Sequence, residues 1–162
     1  MSTFKVQTIE PRTAAVVRAE VPMNEVRSAF DSGFGEVFGT LQAQGLTMTG
    51  APFGFYPRMP TETVEVVVGV PVAAPVAPQG SVESFELPGG EVVTGLHTGP
   101  YEGLAATYQA LSDWAATQGI ALGTAMWEVY LTDPGSQPDP SLWQTEIFWP
   151  KAPRQERAPT VN

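Results

Sequence analysis

Apolar positions along the chain recur in two rhythms. In the stretch from Asn24 to Gly45, Val26, Phe30, Phe34, Val37 and Leu41 return every three or four residues, which is the spacing of one helix face. Asn24 stands where an N-cap is wanted, Glu25 falls in the first turn, and Gly45 stands where a helix stops. A second stretch repeats the spacing with Leu104, Tyr108, Leu111 and Ala115, with Thr98 as N-cap, Pro100 in the first turn and Gly119 at the end. Elsewhere apolar residues come in short runs or alternate with polar ones, as strands do. "FKVQTIE" and "TAAVVRAEV" precede the first helix; "APFGFYP" and "ETVEVVVGV" follow it. "VESFELP" and "EVVTGLHT" precede the second; "AMWEVYL" and "WQTEIFW" follow it.

The order strand, strand, helix, strand, strand is therefore given twice. The two copies also match residue by residue. "QGLTMTGAPFGFY" (Gln44 to Tyr56) lies over "QGIALGTAMWEVY" (Gln118 to Tyr130) without a gap, and Gln44, Gly45, Ala51 and Tyr56 fall on Gln118, Gly119, Ala125 and Tyr130. A repeat this long means two fused modules rather than a solenoid. One domain over residues 1–150 is expected, with the first half about 1–72, a Pro- and Ala-rich linker at 73–81, and the second half about 82–150. The aperiodic stretch 151–162 reads as a flexible tail. Eight strands with two helices predict an α+β fold. Duplicated strand-helix-two-strand modules form one antiparallel sheet, with both helices on one face and a ligand cleft on the other.

Strand alternation then sorts the side chains. In Met126–Leu131 the bulky set Trp127, Val129 and Leu131 is the better fit under a helix, which leaves Glu128 and Tyr130 on the open face. In Thr145–Trp149 the same reasoning turns Glu146 and Phe148 outward, and in the first half Tyr56 and Glu65. A merely solvated face carries Thr, Lys, Gln and Ser. Carboxylates between aromatic rings suit a bulky, flat, cationic or polarised ligand: the rings supply area and cation–π attraction, the carboxylate sets the sign. Burial would also raise a Glu pKa and permit acid–base work.

Composition narrows the field. The chain has 162 residues, 43% of them hydrophobic and 15% charged, enough for a real core. Its net charge of −9 lacks the footprint of direct nucleic-acid binding; an acidic surface mostly confers solubility, and the sharper reading is a field that favours a cationic ligand. There are no cysteines and one histidine, His97, so thiol chemistry, disulfides and multi-histidine metal sites are excluded. No metal and no cofactor is expected. The opening "MSTFKVQTIE" has no apolar signal core, and no run approaches the roughly twenty apolar residues of a membrane helix, which makes the cytoplasm the expected compartment. "HTGPYEG" (His97 to Gly103) offers a His–Tyr–Glu cluster, but Gly99 and Pro100 fit a turn into the second helix better. "DPGSQPDP" (Asp133 to Pro140) has two aspartates, yet its prolines suit a hairpin loop and calcium needs more oxygen ligands.

Taken in order, "HTGPYEGLAATYQALSDWAATQGI", "WEVYLTDP" and "TEIFWP" resemble the GyrI-like, or AraC-type effector-binding, family. The resemblance covers nearly all of Phe4 to Pro150. It implies a duplicated fold with a pseudo-two-fold axis and a small-molecule cleft between the halves. Some members are sensors of regulators that bind lipophilic cations. Others are stand-alone proteins protecting against gyrase poisons or toxins, and one branch looks like hydrolases that open the cyclopropane of DNA-alkylating compounds. The resemblance maps the family's central acidic residue on Glu146 and its pocket aromatics on Trp127, Tyr130, Phe148 and Tyr101. The sequence shows no helix-turn-helix, which counts against direct transcriptional control.

Three readings follow. The first is a stand-alone binder of lipophilic, aromatic or cationic compounds, with Glu146 as central charge, Glu128 as second charge or orienting group, and Tyr130, Trp127, Phe148, Tyr56 and Tyr101 as walls. The second is a cyclopropane hydrolase with Glu146 as general base and Tyr130 donating to the carbonyl that gains charge. The third is a protein-interaction inhibitor of a DNA enzyme.

Overall fold

The structure is a computed structural model that describes residues 4–58, 62–132 and 137–152. The expected order of elements is present. The first half holds β1 (Phe4–Ile9), β2 (Arg12–Pro22), α1 (Val26–Gln44), β3 (Phe53–Tyr56) and β4 (Thr63–Pro71). The second holds β5 (Glu83–Leu87), β6 (Gly90–Thr98), α2 (Leu104–Thr117), β7 (Met126–Tyr130) and β8 (Gln144–Pro150). The strands form one eight-stranded sheet in the order β1-β6-β8-β7-β3-β4-β2-β5, antiparallel throughout and curled into a half-barrel.

Exchanging each element for its counterpart in the other half reverses that order and leaves it otherwise unchanged. A pseudo-two-fold axis therefore passes between β3 and β7. The ladder locates it: Gly54 pairs with Glu128, and these are the residues that the internal repeat superposes. The outer strands cross over. β1 pairs with β6 of the second half and β5 with β2 of the first, so neither half closes its sheet alone.

Both helices end alike. Gly45 and Gly119 adopt left-handed φ angles of 69° and 72°. The next amide closes back on the helix in each case, Leu46 to the Leu41 carbonyl and Ile120 to the Ala115 carbonyl. A residue with a Cβ is strained there, which explains the shared Gln-Gly at both ends. The helix starts differ from expectation. Asn24 lies in a 3-10 turn, Met23–Glu25, ahead of α1 and makes no cap. Thr98 is the last residue of β6, and a 3-10 turn, Tyr101–Gly103, leads into α2. In both cases the chain needs an extra tight turn to swing from strand to helix.

α1 buries Gly33, Val37, Thr40 and Leu41 against the valines of β2 and β4. α2 buries Leu111 and Ala115 above β6, β7 and β8, on Val93, Met126 and Ile147. The central strands β3 and β7 thus lie between the two helices. The helix-free face is also a core. Phe53, Phe55, Val67, Leu87 and Trp127 are buried there, because the curled sheet folds its own side chains inward. The linker is partly fixed: Val76 is buried, and Gln44 of α1 donates to the Ala77 carbonyl and accepts from its amide. Of the segment read as a tail, Lys151 and Ala152 are tied to Glu91 and Ala121; residues 153–162 lie outside the described ones.

Candidate functional site

A cavity of about 880 Å³ opens on the helix-bearing side, in the gap that α1 and α2 leave above β3 and β7. Phe30, Phe34 and Phe38 of α1 form one wall, Tyr130, Leu131 and Trp143 another, and Tyr56, Leu104 and Glu128 line it further. Phe30, Phe34 and Phe38 recur every four residues and so share a flank of α1 beside the aliphatic flank that meets the sheet. Phe30 and Phe34 meet edge-on at 5.9 Å between ring centres, Phe34 and Phe38 stack at 6.1 Å, and Tyr130 lies 5.9 Å from Phe30. Arg27 and Asp31 complete the lining from α1.

Among the described residues Glu128 is the one carboxylate that the sheet brings to this lining, and only 6% of it is exposed. Its carboxylate accepts hydrogen bonds from two phenols. Tyr130, two residues along on the same face of β7, donates at 2.7 Å, and Tyr108 descends from α2 to donate to the other oxygen. Burial pushes the Glu128 carboxyl above its ordinary range; the bonds from Tyr108 and Tyr130 and the nearby His97 oppose that rise without cancelling it. The same burial, reinforced by the Glu128 charge, pushes the phenols of Tyr56, Tyr108 and Tyr130 up, so they stay protonated and can donate. No Lys or Arg forms an ion pair with Glu128 among the described residues.

His97 is buried behind this group. Its Nε2 donates to the Pro100 carbonyl at 2.9 Å and its Nδ1 bonds the Thr107 hydroxyl at 2.7 Å. It pins the turn into α2, as the Gly-Pro pattern implied, and through α2 fixes where Tyr108 comes down.

The sequence-derived site residues divide between the two faces of the sheet. Glu128 and Tyr130 share a face, and Tyr56 joins them at the cavity. Glu146, Phe148 and Trp127 lie on the opposite face. The ladder pairs Trp127 with Phe148 and Val129 with Glu146, whereas Glu128 pairs with Ile147 under the helices. Reading Glu128 and Glu146 onto one face is thus corrected, as is placing Trp127 and Val129 under a helix. The physical reason is that both faces of this sheet are cores, so side-chain bulk does not reveal which one the helices cover. The cavity accordingly opens beside the helices and not on the helix-free face. Trp127 stacks between Phe55 at 5.7 Å and Phe148 at 5.4 Å and is 2% exposed. Glu146 is half-buried; burial raises its carboxyl and the charge of Lys5 opposes this. Glu65 lies on the helix-free face of β4, opposite to Tyr56, which corrects the reading of those two onto one face, and is ion-paired with Arg58. Tyr101 belongs to the turn before α2, and its side chain lies outside the described ones, as do Asp133 to Ser136 of the aspartate loop.

Sequence reasoning missed Phe30, Phe34, Phe38, Tyr108 and Trp143 as site residues. The signal for the first three was present: an all-aromatic row at four-residue spacing is wider than one buried helix face requires. Tyr108 looked like another core position. Among the described residues no cluster of His, Cys, Asp and Glu could hold a metal ion, and no helix is long and apolar enough to cross a membrane.

Residues 2–151 match the model of the GyrI-like small molecule binding domain. The chain belongs to that family. The fold recurs in the EcmrR C-terminal domain at 23% identity and a TM-score of 0.82, covering 93% of this chain and 98% of that one. Against the EcmrR chain of an EcmrR–DNA complex, this GyrI-like domain spans little more than half the length, 57%, at a TM-score of 0.81. A hydrolase from Listeria innocua is similar at 14% identity and a TM-score of 0.65, over 92% of this chain and 91% of the other. SAV2435, solved bound to tetraphenylphosphonium, matches at 8% identity and a TM-score of 0.63, over 95% and 96%. At these identities the likeness concerns the fold. No curated protein is similar enough in sequence to count as a match.

Proposed function

We propose that this GyrI-like domain binds lipophilic aromatic cations in the cavity between the helices, in a drug- or toxin-protection role, with Glu128 as the counter-charge. One observation carries the reading: Glu128 is buried, bonded by phenols and, among the described residues, in no ion pair with a Lys or Arg. A carboxylate taken out of water without a counter-ion is costly, and a cation entering the cavity removes that cost. The aromatic walls supply apolar area and cation–π attraction, and the net charge of −9 draws cations toward the protein. SAV2435, which shares the fold, was solved with such a cation. This assigns to Glu128 the role that the family resemblance placed on Glu146.

Titrating tetraphenylphosphonium into wild type and Glu128→Gln tests the proposal. Loss of the buried charge is expected to weaken binding about a hundredfold. Equal affinity would remove the carboxylate from the account.

A hydrolase reading is favoured by one further observation, the pairing of a carboxyl raised by burial with a phenol 2.7 Å away. On that reading Glu128 takes a proton from the attacking water as the strained ring opens, and Tyr130 donates to the carbonyl that gains charge. Incubation with an activated cyclopropane and a search for the water adduct decides it; an unchanged compound leaves binding alone.

A further inference from the structure

The axis of the repeat carries Glu128 on one strand and Gly54 on the other. Gly54 has no left-handed backbone angle, so conformation does not call for a glycine there. Space does. A Cβ on Gly54 would stand 2.8 Å from Phe30 Cζ and 2.9 Å from the Tyr130 hydroxyl oxygen, closer than real Cβ contacts come. Both atoms are the far ends of side chains, so a substitution would displace them and spare the backbone.

From this we infer that Gly54 is a positioning and specificity-determining residue of the cavity: its missing side chain lets Phe30 and Tyr130 meet over the axis and keeps the Tyr130 hydroxyl on Glu128. The inference rests on the proposed role of Glu128 for its consequence in binding, but not for its geometry. Tyr130 reaches Glu128 by lying across β3 above Gly54, and Phe30 closes over the same spot. Any side chain at position 54 pushes the hydroxyl off the carboxylate and the ring into the cavity. Among the described residues Glu128 would then keep Tyr108 as its one side-chain donor, with Tyr56 from β3, His97 from β6 and, at the cavity lining, Arg27 and Asp31 of α1 as the other titratable or charged groups around it.

The test is a double-mutant cycle in full-length protein with Gly54→Ala, Tyr130→Phe and the double variant, read by tetraphenylphosphonium titration. Each single change is expected to weaken binding about tenfold, the effect of one hydrogen bond to a charged group. The double variant is expected to fall short of the product of the two single losses, because the hydroxyl to be displaced is already gone and only the Phe30 contact is left to disturb. Wild-type affinity in Gly54→Ala, or losses that multiply, would overturn the inference. If wild type does not take up the probe, the proposed function fails on its own. Gly54 is then decided by the carboxyl titration of Glu128 in the ligand-free protein, followed by carbon NMR. Its midpoint is expected to rise in Gly54→Ala, and an unmoved midpoint refutes the positioning role. Should Gly54→Ala not fold, Gly54→Ala/Phe30→Leu removes the aromatic Cζ and carries the same titration with the same two outcomes.

Discussion

Glu128 and Glu146 sit on adjacent strands and face opposite ways, and little else about them is alike. Glu128 lies between two helices, hydrogen-bonded by phenols in a ring-lined cavity. Glu146 lies on the helix-free face, half-exposed and close to Lys5. One residue of offset in strand alternation separates a carboxyl enclosed in the helix-side cavity from a half-buried one whose rise the charge of Lys5 opposes. Aromatic neighbours alone do not mark a binding site: Phe148 and Trp127 beside Glu146 are packed upon each other, whereas Phe30, Phe34 and Tyr130 near Glu128 leave a volume unfilled.

The sharpest way to break that contrast is to truncate the packed side. Trp127→Ala is expected to cost about 3–5 kcal/mol of stability, measured by urea unfolding, since the side chain is sandwiched and buried. A cost under about 1 kcal/mol would show that the helix-free face is not a core. Next in size is the pH dependence on the cavity side. Burial raises the Glu128 carboxyl above its ordinary 4.5, so cation binding must displace a proton below the raised value. Affinity for tetraphenylphosphonium is expected to rise with pH, by up to about tenfold per unit, and to level off once the carboxyl is ionised. The ligand-free protein behaves oppositely. Its folded state holds that proton more tightly than the unfolded chain does, so stability falls as pH rises from about 4.5 through the folded-state value, and Glu128→Gln flattens the slope. An affinity that stays flat across the range would mean that Glu128 is already ionised when empty. Tyr108→Phe removes one of the two phenol donors and is expected to weaken binding about tenfold in the same titration. The smallest effect falls on the other carboxylate: Glu146→Gln is expected to change affinity less than about twofold, a screened charge on the far side of the sheet. A loss as large as that of Glu128→Gln would reverse the two assignments.

The duplicated order of elements, the glycine helix stops and the pairing of Glu128 with Tyr130 on one face were all legible in the sequence. They depend on local periodicity and on the repeat, which neighbours in the chain report faithfully. Which face the helices cover was not legible. That choice depends on the curl of the sheet, which buries Trp127 and Phe55 on one face while the helices bury Ile147 and Val93 on the other. Tyr108 escaped notice for a related reason. Its apolar spacing on α2 is that of a core residue, and its hydroxyl acquires meaning only when the turn braced by His97 brings α2 over β7.

The exchange of outer strands between the halves has a consequence for symmetry. Two identical modules associating as separate chains in this arrangement would have to place the same residue on both sides of the axis: two carboxylates facing each other, or two glycines with no charge at all. A single chain is free of that requirement. Joined by the linker, the halves can hold one acid on the dyad and an empty position across from it, a lopsided centre that no pair of equal subunits could build.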